Sequence, residues 1–301
     1  MNKYFIYSLL LAMAGMTFTA CSEDKLDSTS VIQPDETGNS EFDKWLDANF
    51  VAPYNIEFLY RYKDNETDMN YFNIPAKVED AVKLAHIVKY SCLEAYDQVA
   101  GVNFTRAYFP KMFYAVGDFE YKSNGTMILG TAEGGKKIFL AGTNHLDEFL
   151  TSREDLNTYY LKTIHHEFTH IMNQTKDYPA NFKLITGDGY VSDAWSQAPY
   201  GGKPYYLKHG FISAYAQHSH VEDFAEMLSI YITNPKTQWD QWMTEAGTDG
   251  AKLIQQKLDI VRSYMKTQWK IDLDKLREIV LQREDDIVAG RVNLTDLTVN
   301  H

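Results

Sequence analysis

The chain has 301 residues, 45% of them hydrophobic and 14% aromatic, enough to bury one large core or two closely packed lobes. Its formal net charge is −12, and no basic stretch is interleaved with aromatics, which excludes nucleic acid as an expected partner. Acidity of this size favours solubility and says little about substrate.

The N-terminus reads as a leader. Lys3 supplies a positive start, and Tyr4 to Ala14 is an uncharged apolar run too short to span a bilayer. It ends in Phe18-Thr19-Ala20-Cys21, small residues before a cysteine, which resembles a bacterial lipobox with Phe18 in place of the usual Leu. The expectation is a signal peptide over 1–20 and a lipid on Cys21 as the anchor. No later segment is apolar enough to span a membrane. Residues 21–40 are rich in Ser, Asp and Glu and read as a flexible tether. Cys92, the other cysteine, falls on an expected helix as a small buried hydrophobe, and with a lipid on Cys21 no intrachain disulfide is possible.

Folded sequence is expected over 41–301. Phe42, Trp45, Leu46 and Phe50 give a short amphipathic helix. Tyr54 to Tyr62 alternates and reads as a strand, followed by a polar loop at 64–70. Val78 to Val99 has helical periodicity. Met112 to Val116, Thr126 to Leu129 and Lys137 to Leu140 read as strands, with turns at Ser123-Asn124-Gly125 and Glu133-Gly134-Gly135. A loop rich in Gly, Pro and aromatics runs from Thr186 to Pro204 and could wall a cleft. Helices follow over Val221–Tyr231, stopped by Pro235, then Asp249–Lys266 and Asp272–Asp285. The fold class is α+β: a mixed β-sheet lobe with the active-site helix at about 41–175, and a mostly α lobe at about 176–301.

The chemistry centres on the helix at 155–174. Leu156, Tyr160, Ile164, Phe168 and Ile171 form its apolar stripe, no Gly or Pro interrupts it, and Ser152 to Asp155 has the form of a capping box. On it lies His166-Glu167-Phe168-Thr169-His170, an H-E-x-x-H match. Residues four apart share a helix face, so His166 and His170 can aim two imidazoles at one cation. Glu167 lies beside them, within reach of a water on that cation but not as a ligand. Partly buried helix histidines with ordinary hydrogen bonds are the competing account of His165, His166 and His170.

A hydrolytic zinc needs a third protein ligand and an open fourth position. One zincin class places a His six residues after the second histidine, following a Gly. Asn173 and Lys176 occupy those positions here, which excludes that class. Asp188, Asp193, His218 and His220 are candidates. Glu222 is favoured, because Glu222 and Glu226 share one face of a helix. One can bind the metal while the other receives the N–H of a bound imidazole.

Tyr215, followed by Glu222-Asp223-Phe224-Ala225-Glu226, resembles the second zinc motif of the anthrax lethal-factor family of gluzincins. The resemblance implies a zincin-like fold, Glu222 as third ligand, Glu226 behind the ligands, and Tyr215 facing the metal. The chain as a whole resembles the zinc metallohydrolase lipoproteins of Bacteroidetes, whose genes commonly neighbour TonB-dependent importers. Cys21-Ser22-Glu23-Asp24 is similar to a surface-export signal of such lipoproteins. An outer-membrane lipoprotein, periplasmic or surface-facing, is the implied location.

The expected function is that of a zinc metallopeptidase with one Zn²⁺ per chain, acting on a peptide or protein. Glu167 is its general base and Tyr215 its oxyanion donor. Lys137 to Leu140 is expected, by fold analogy, as an edge strand that pairs with substrate backbone. The alternative is a non-catalytic lipoprotein that binds peptides or glycans for an importer. The aromatic content would suit that role, whereas the intact Glu167 argues for catalysis.

Overall fold

Short apolar runs flanked by turns build a small buried sheet. In a computed structural model, the residues described are 40–67, 71, 73–121, 127–128, 130–133 and 137–299. The leader at 1–20, Cys21, the tether up to residue 39, the Ser123-Asn124-Gly125 turn and Gly134-Gly135 lie outside them.

The chain enters through α1 (Glu41–Leu46), where Ser40 and Asp43 form a reciprocal capping box. A wide π turn over Asp47–Val51 and a helical turn over Ala52–Tyr54 follow. Strand β1 is only Glu57–Leu59, shorter than the expected 54–62. Tyr54 closes the helical turn and Asn55 caps it in the left-handed region at φ 55°, so the alternation of aromatics begins before the extended backbone does. Helix α2 (Val78–Ile87) continues through a π turn into α3 (Glu94–Ala100), in line with the expected long helix.

Strands β2 (Met112–Ala115), β5 (Gly130–Glu133) and β6 (Lys137–Leu140) complete a sheet of order β1-β2-β6-β5. β3 (Glu120–Tyr121) and β4 (Met127–Ile128) make a separate antiparallel pair. β1, β2 and β6 are parallel, with Phe58, Phe113 and Ile138 in register; β5 runs antiparallel to β6. Those three residues face the main core, while Leu59, Tyr114 and Phe139 face a smaller cluster, the period of two expected of strands buried on both sides. β6 is therefore an inner strand, paired on both sides, and not the expected edge. The edge on that side is β5, whose Gly-Thr-Ala-Glu sequence carries little strand propensity and gave no signal.

The rest is helical: α4 (Lys162–Thr175), α5 (His220–Thr233), α6 (Lys236–Tyr264) and α7 (Leu273–Val288). α6 begins earlier than the expected Asp249. Pro235 ends α5 and also sits at the N-cap of α6, and Gly247 at φ 70° breaks the helix in two. One core cluster runs from Phe42 to Ile287, taking in Phe168, Phe224, Leu258 and Leu276.

One buried acid makes stability depend on pH. Glu284 of α7 is fully buried; Asn157 Nδ2 donates to its Oε2 at 3.1 Å, and Arg153 Nε lies 3.6 Å away. Burial pushes its carboxyl up to about 8, against the opposing pull of Asn157 and Arg153. The unfolded chain keeps an ordinary value near 4.5, so the native state holds this proton more tightly. The group's contribution is full below that value and is lost as pH rises through about 8. Glu284→Gln should thus gain on wild type between pH 5 and 8, by roughly 1.4 kcal/mol per unit. Urea unfolding at both pH values checks this, and a pH-independent difference would contradict it.

Candidate active site

The site is set by how α4 is held. Arg153–Leu156 and a π turn over Asn157–Leu161 lead into α4, and Ser152 Oγ accepts from the Asp155 N–H at 3.1 Å. Leu156, Tyr160, Ile164, Phe168 and Ile171 are all buried, as their spacing predicts. Tyr160 donates to the Gly142 carbonyl at 2.7 Å just beyond β6, and Phe168 packs on Phe109 at 4.2 Å between ring centroids. With that face fixed on the core, His166 and His170 turn toward α5. Ser219 caps α5 at the Glu222 N–H, which puts Glu222 in the first turn facing them.

Three atoms converge. His166 Nε2 lies 2.9 Å from Glu222 Oε2, His170 Nε2 lies 3.2 Å from the same oxygen, and the two nitrogens are 3.0 Å apart. Ligands about 2.0–2.2 Å from a tetrahedral metal stand about 3.3–3.5 Å from one another. The observed triangle is close to one face of such a tetrahedron. Two imidazole nitrogens and a carboxylate oxygen also form a donor set suited to zinc. Among the described residues, these three are the group able to hold a metal. A three-residue set leaves a coordination position open, unlike structural sites with four protein ligands.

Behind the triangle lies Glu226, 1% exposed. Lys162 donates to its Oε1 at 2.8 Å and Ser213 to its Oε2 at 2.7 Å. His166 Nδ1 stands 2.8 Å from Oε1, off the line of an aligned hydrogen bond. Burial alone would lift the Glu226 carboxyl, but Lys162 and then His166 hold it well below the usual carboxylate range. Burial likewise opposes ionisation of Glu222, and His166 and His170 reverse that. Burial also disfavours the His166 cation, but Glu222 and Glu226 outweigh it and bring the ring to about 9. Tyr215 lies 6.0 Å from the His166 ring, centroid to centroid. Burial, then the charges of Glu222, Glu226 and Glu167, hold its hydroxyl protonated far above the tyrosine range. Glu167 is half-buried on the same helix.

The other candidates lie apart from the triangle. Asp188 is exposed in a 3₁₀ turn, His218 Nε2 approaches Asp193 at 3.5 Å, and His220 Nδ1 pairs with the Tyr178 hydroxyl at 2.6 Å. His165 is fully buried on the other side of α4, near Cys92 and Tyr96, and burial pulls its imidazole down to about 3. Sequence reading missed Lys162 and Ser213. Lys162 is four residues before His166, so helical spacing alone could have flagged it. Ser213 lies in a loop and gave no signal.

Comparison with known proteins follows the same line. A family model described as "Putative zinc-binding metallo-peptidase" matches residues 35–274. No curated protein matches the chain. The chain is similar to the crystal structure of a protein from Bacteroides caccae described in the same words as the family model. Identity is 39% and the TM-score 0.75, over 89% of this chain and 100% of that one. With four-fifths of its length matched, the chain belongs to this family of zinc-binding metallo-peptidases.

Proposed function

We propose that the protein is a peptidase of the gluzincin type, with His166, His170 and Glu222 holding one Zn²⁺ and Glu167 as its base. The observation that carries this is the triangle of two Nε2 atoms and one carboxylate oxygen with sides of 2.9, 3.0 and 3.2 Å. Zinc held there would supply a Lewis acid that brings the pKa of a water to about 7. Glu167 accepts the proton of the attacking water and passes it to the leaving amine. Tyr215, kept protonated by burial and its acidic neighbours, donates to the oxygen that gains charge on the substrate carbonyl. Glu226 fixes the orientation of the His166 ring, and Lys162 and Ser213 fix Glu226. An extended peptide would pair with β5, the edge strand of the main sheet next to β6 among the described strands. Its own backbone pairing to β6 leaves one side of β5 available.

The sequence of the first 21 residues further supports an outer-membrane lipoprotein anchored through Cys21. Among the described residues, no helix is long and apolar enough to cross a membrane.

Glu167→Gln should keep stoichiometric zinc and lose peptide cleavage by about 10²–10⁴-fold. Metal analysis alongside turnover of a mixed peptide library reads both. A variant as active as wild type would remove Glu167 from water activation.

Glu226→Gln keeps the three ligands and removes the charge facing His166 and Lys162. Its zinc affinity, read by competition with a chelator, should fall about 10–100-fold. Glu222→Ala should lose more, because a ligand itself is gone. Unchanged affinity in both would mean the metal sits elsewhere.

A further inference from the structure

The long loop between α4 and α5 is pinned beside the site. Near its start the Tyr190 hydroxyl donates to Asp223 of α5 at 2.9 Å, and the Val191 N–H donates to the Gln217 carbonyl at 2.8 Å. Further on, Gln217, 1% exposed, donates from Nε2 to the Tyr200 carbonyl at 2.9 Å. One buried side chain and its backbone thus clamp the segment 191–200 at both ends. Inside the clamp lies a 3₁₀ turn, Ser192–Ser196, whose first residue is a non-glycine in the left-handed region at φ 49°. Such a conformation persists where the surroundings impose it. The turn brings Trp195, half-buried, to the ring of Tyr215, at 5.1 Å between centroids and 75° between planes. That is edge-to-face packing, a favoured arrangement of two aromatic rings.

Tyr215 needs such a neighbour. It stands on a short 3₁₀ turn, Tyr215–Gln217, ahead of α5. Its backbone is held there, since the Ala216 N–H donates to Ser213 Oγ at 3.1 Å and Ser213 donates in turn to Glu226. Its ring is held differently, because neither Tyr215 nor Trp195 belongs to the main core or to the smaller cluster. The side-chain torsions between backbone and ring leave the ring's direction to its neighbours. Among the described residues its ring partners are Trp195 at 5.1 Å, His218 at 5.7 Å and His166 at 6.0 Å. The charges that act on its hydroxyl are those of Glu222, Glu226 and Glu167, so that end of the ring is directed into the site.

We infer that Trp195 is a positioning residue for the reaction: its ring holds Tyr215 so that the hydroxyl stays directed at the metal-binding triangle. The clamped loop thereby supplies part of the active site through Tyr215. A donor to a developing oxyanion acts only about 2.7–3.1 Å from that oxygen, and a misplacement of about 1 Å costs on the order of 10²-fold. The effect on catalysis rests on the peptidase reading of the triangle; the hold on Tyr215 rests on the ring contact itself.

The test uses zinc-loaded variants of the full chain and the peptide that wild type cuts fastest from a mixed library. Trp195→Ala, with its zinc content intact, should lower kcat by about 10–100-fold and leave KM within about twofold. Trp195→Phe keeps a ring against Tyr215 and should stay within about threefold of wild type. In a Tyr215→Phe background Trp195→Ala should cost nothing further, because the hydroxyl it directs is already gone. Wild-type kcat in Trp195→Ala, or a full second loss in the Tyr215→Phe background, would overturn the positioning role and leave the peptidase reading standing. A second arm needs no cleavage. The chain is labelled with 3-fluorotyrosine, and the Tyr215 fluorine resonance is the one missing from Tyr215→Phe. Cobalt(II) bound in place of zinc should displace that resonance in wild type and Trp195→Phe, and displace it less in Trp195→Ala while the other tyrosine resonances keep their wild-type positions. Equal displacement in all three, or none in wild type, contradicts the hold whether or not any peptide is cut. A wild type that cuts no peptide but shows the expected displacements would sink the peptidase reading and keep the hold.

Discussion

The structure depends on bringing two imidazole nitrogens and a carboxylate oxygen within 3.2 Å of one another. Each piece arrives from a different constraint. The histidines come from four-residue spacing on α4, whose opposite face is locked by Tyr160 and Phe168 into the core. Glu222 comes from α5, started by the Ser219 cap. A slip of one residue in either helix would rotate its ligands by about 100° and dissolve the triangle.

Holding charge in such a place is unfavourable unless every group is answered. Glu226, almost wholly buried, is answered by Lys162 and Ser213 and faces His166. Asp223, beside Glu222, is answered by the equally buried Lys257 at 2.6 Å and by Tyr190 at 2.9 Å. Lys257 also donates to the Gly210 carbonyl at 2.9 Å. These bonds tie the loop over 186–210 and helix α6 to α5. Breaking one partner of such a pair leaves a buried charge alone, which is strongly destabilising. The polar interior therefore fixes the position of α5 relative to α4 and to the loop.

Much of this was legible in the residues themselves. The apolar stripe from Leu156 to Ile171, the H-E-x-x-H and the Glu222–Glu226 pair all rest on helical spacing, a local property. What depended on distant partners was not legible. Ser213 meets Glu226 across a loop, β6 becomes an inner strand only because the weakly patterned β5 pairs with it, and Pro235 both stops one helix and begins the next. The aromatic run from Tyr54 to Tyr62 misled for the opposite reason: its pattern was strong, but Asn55 in the left-handed region turned the backbone first.

X-ray absorption at the zinc edge of the purified, zinc-loaded protein reads the central claim most directly. The account predicts one zinc per chain bound by two imidazoles and otherwise by oxygen, with Zn–N about 2.0–2.1 Å and Zn–O about 2.0–2.2 Å. A shell with one imidazole or none, a sulfur neighbour near 2.3 Å, or no stoichiometric zinc would contradict it.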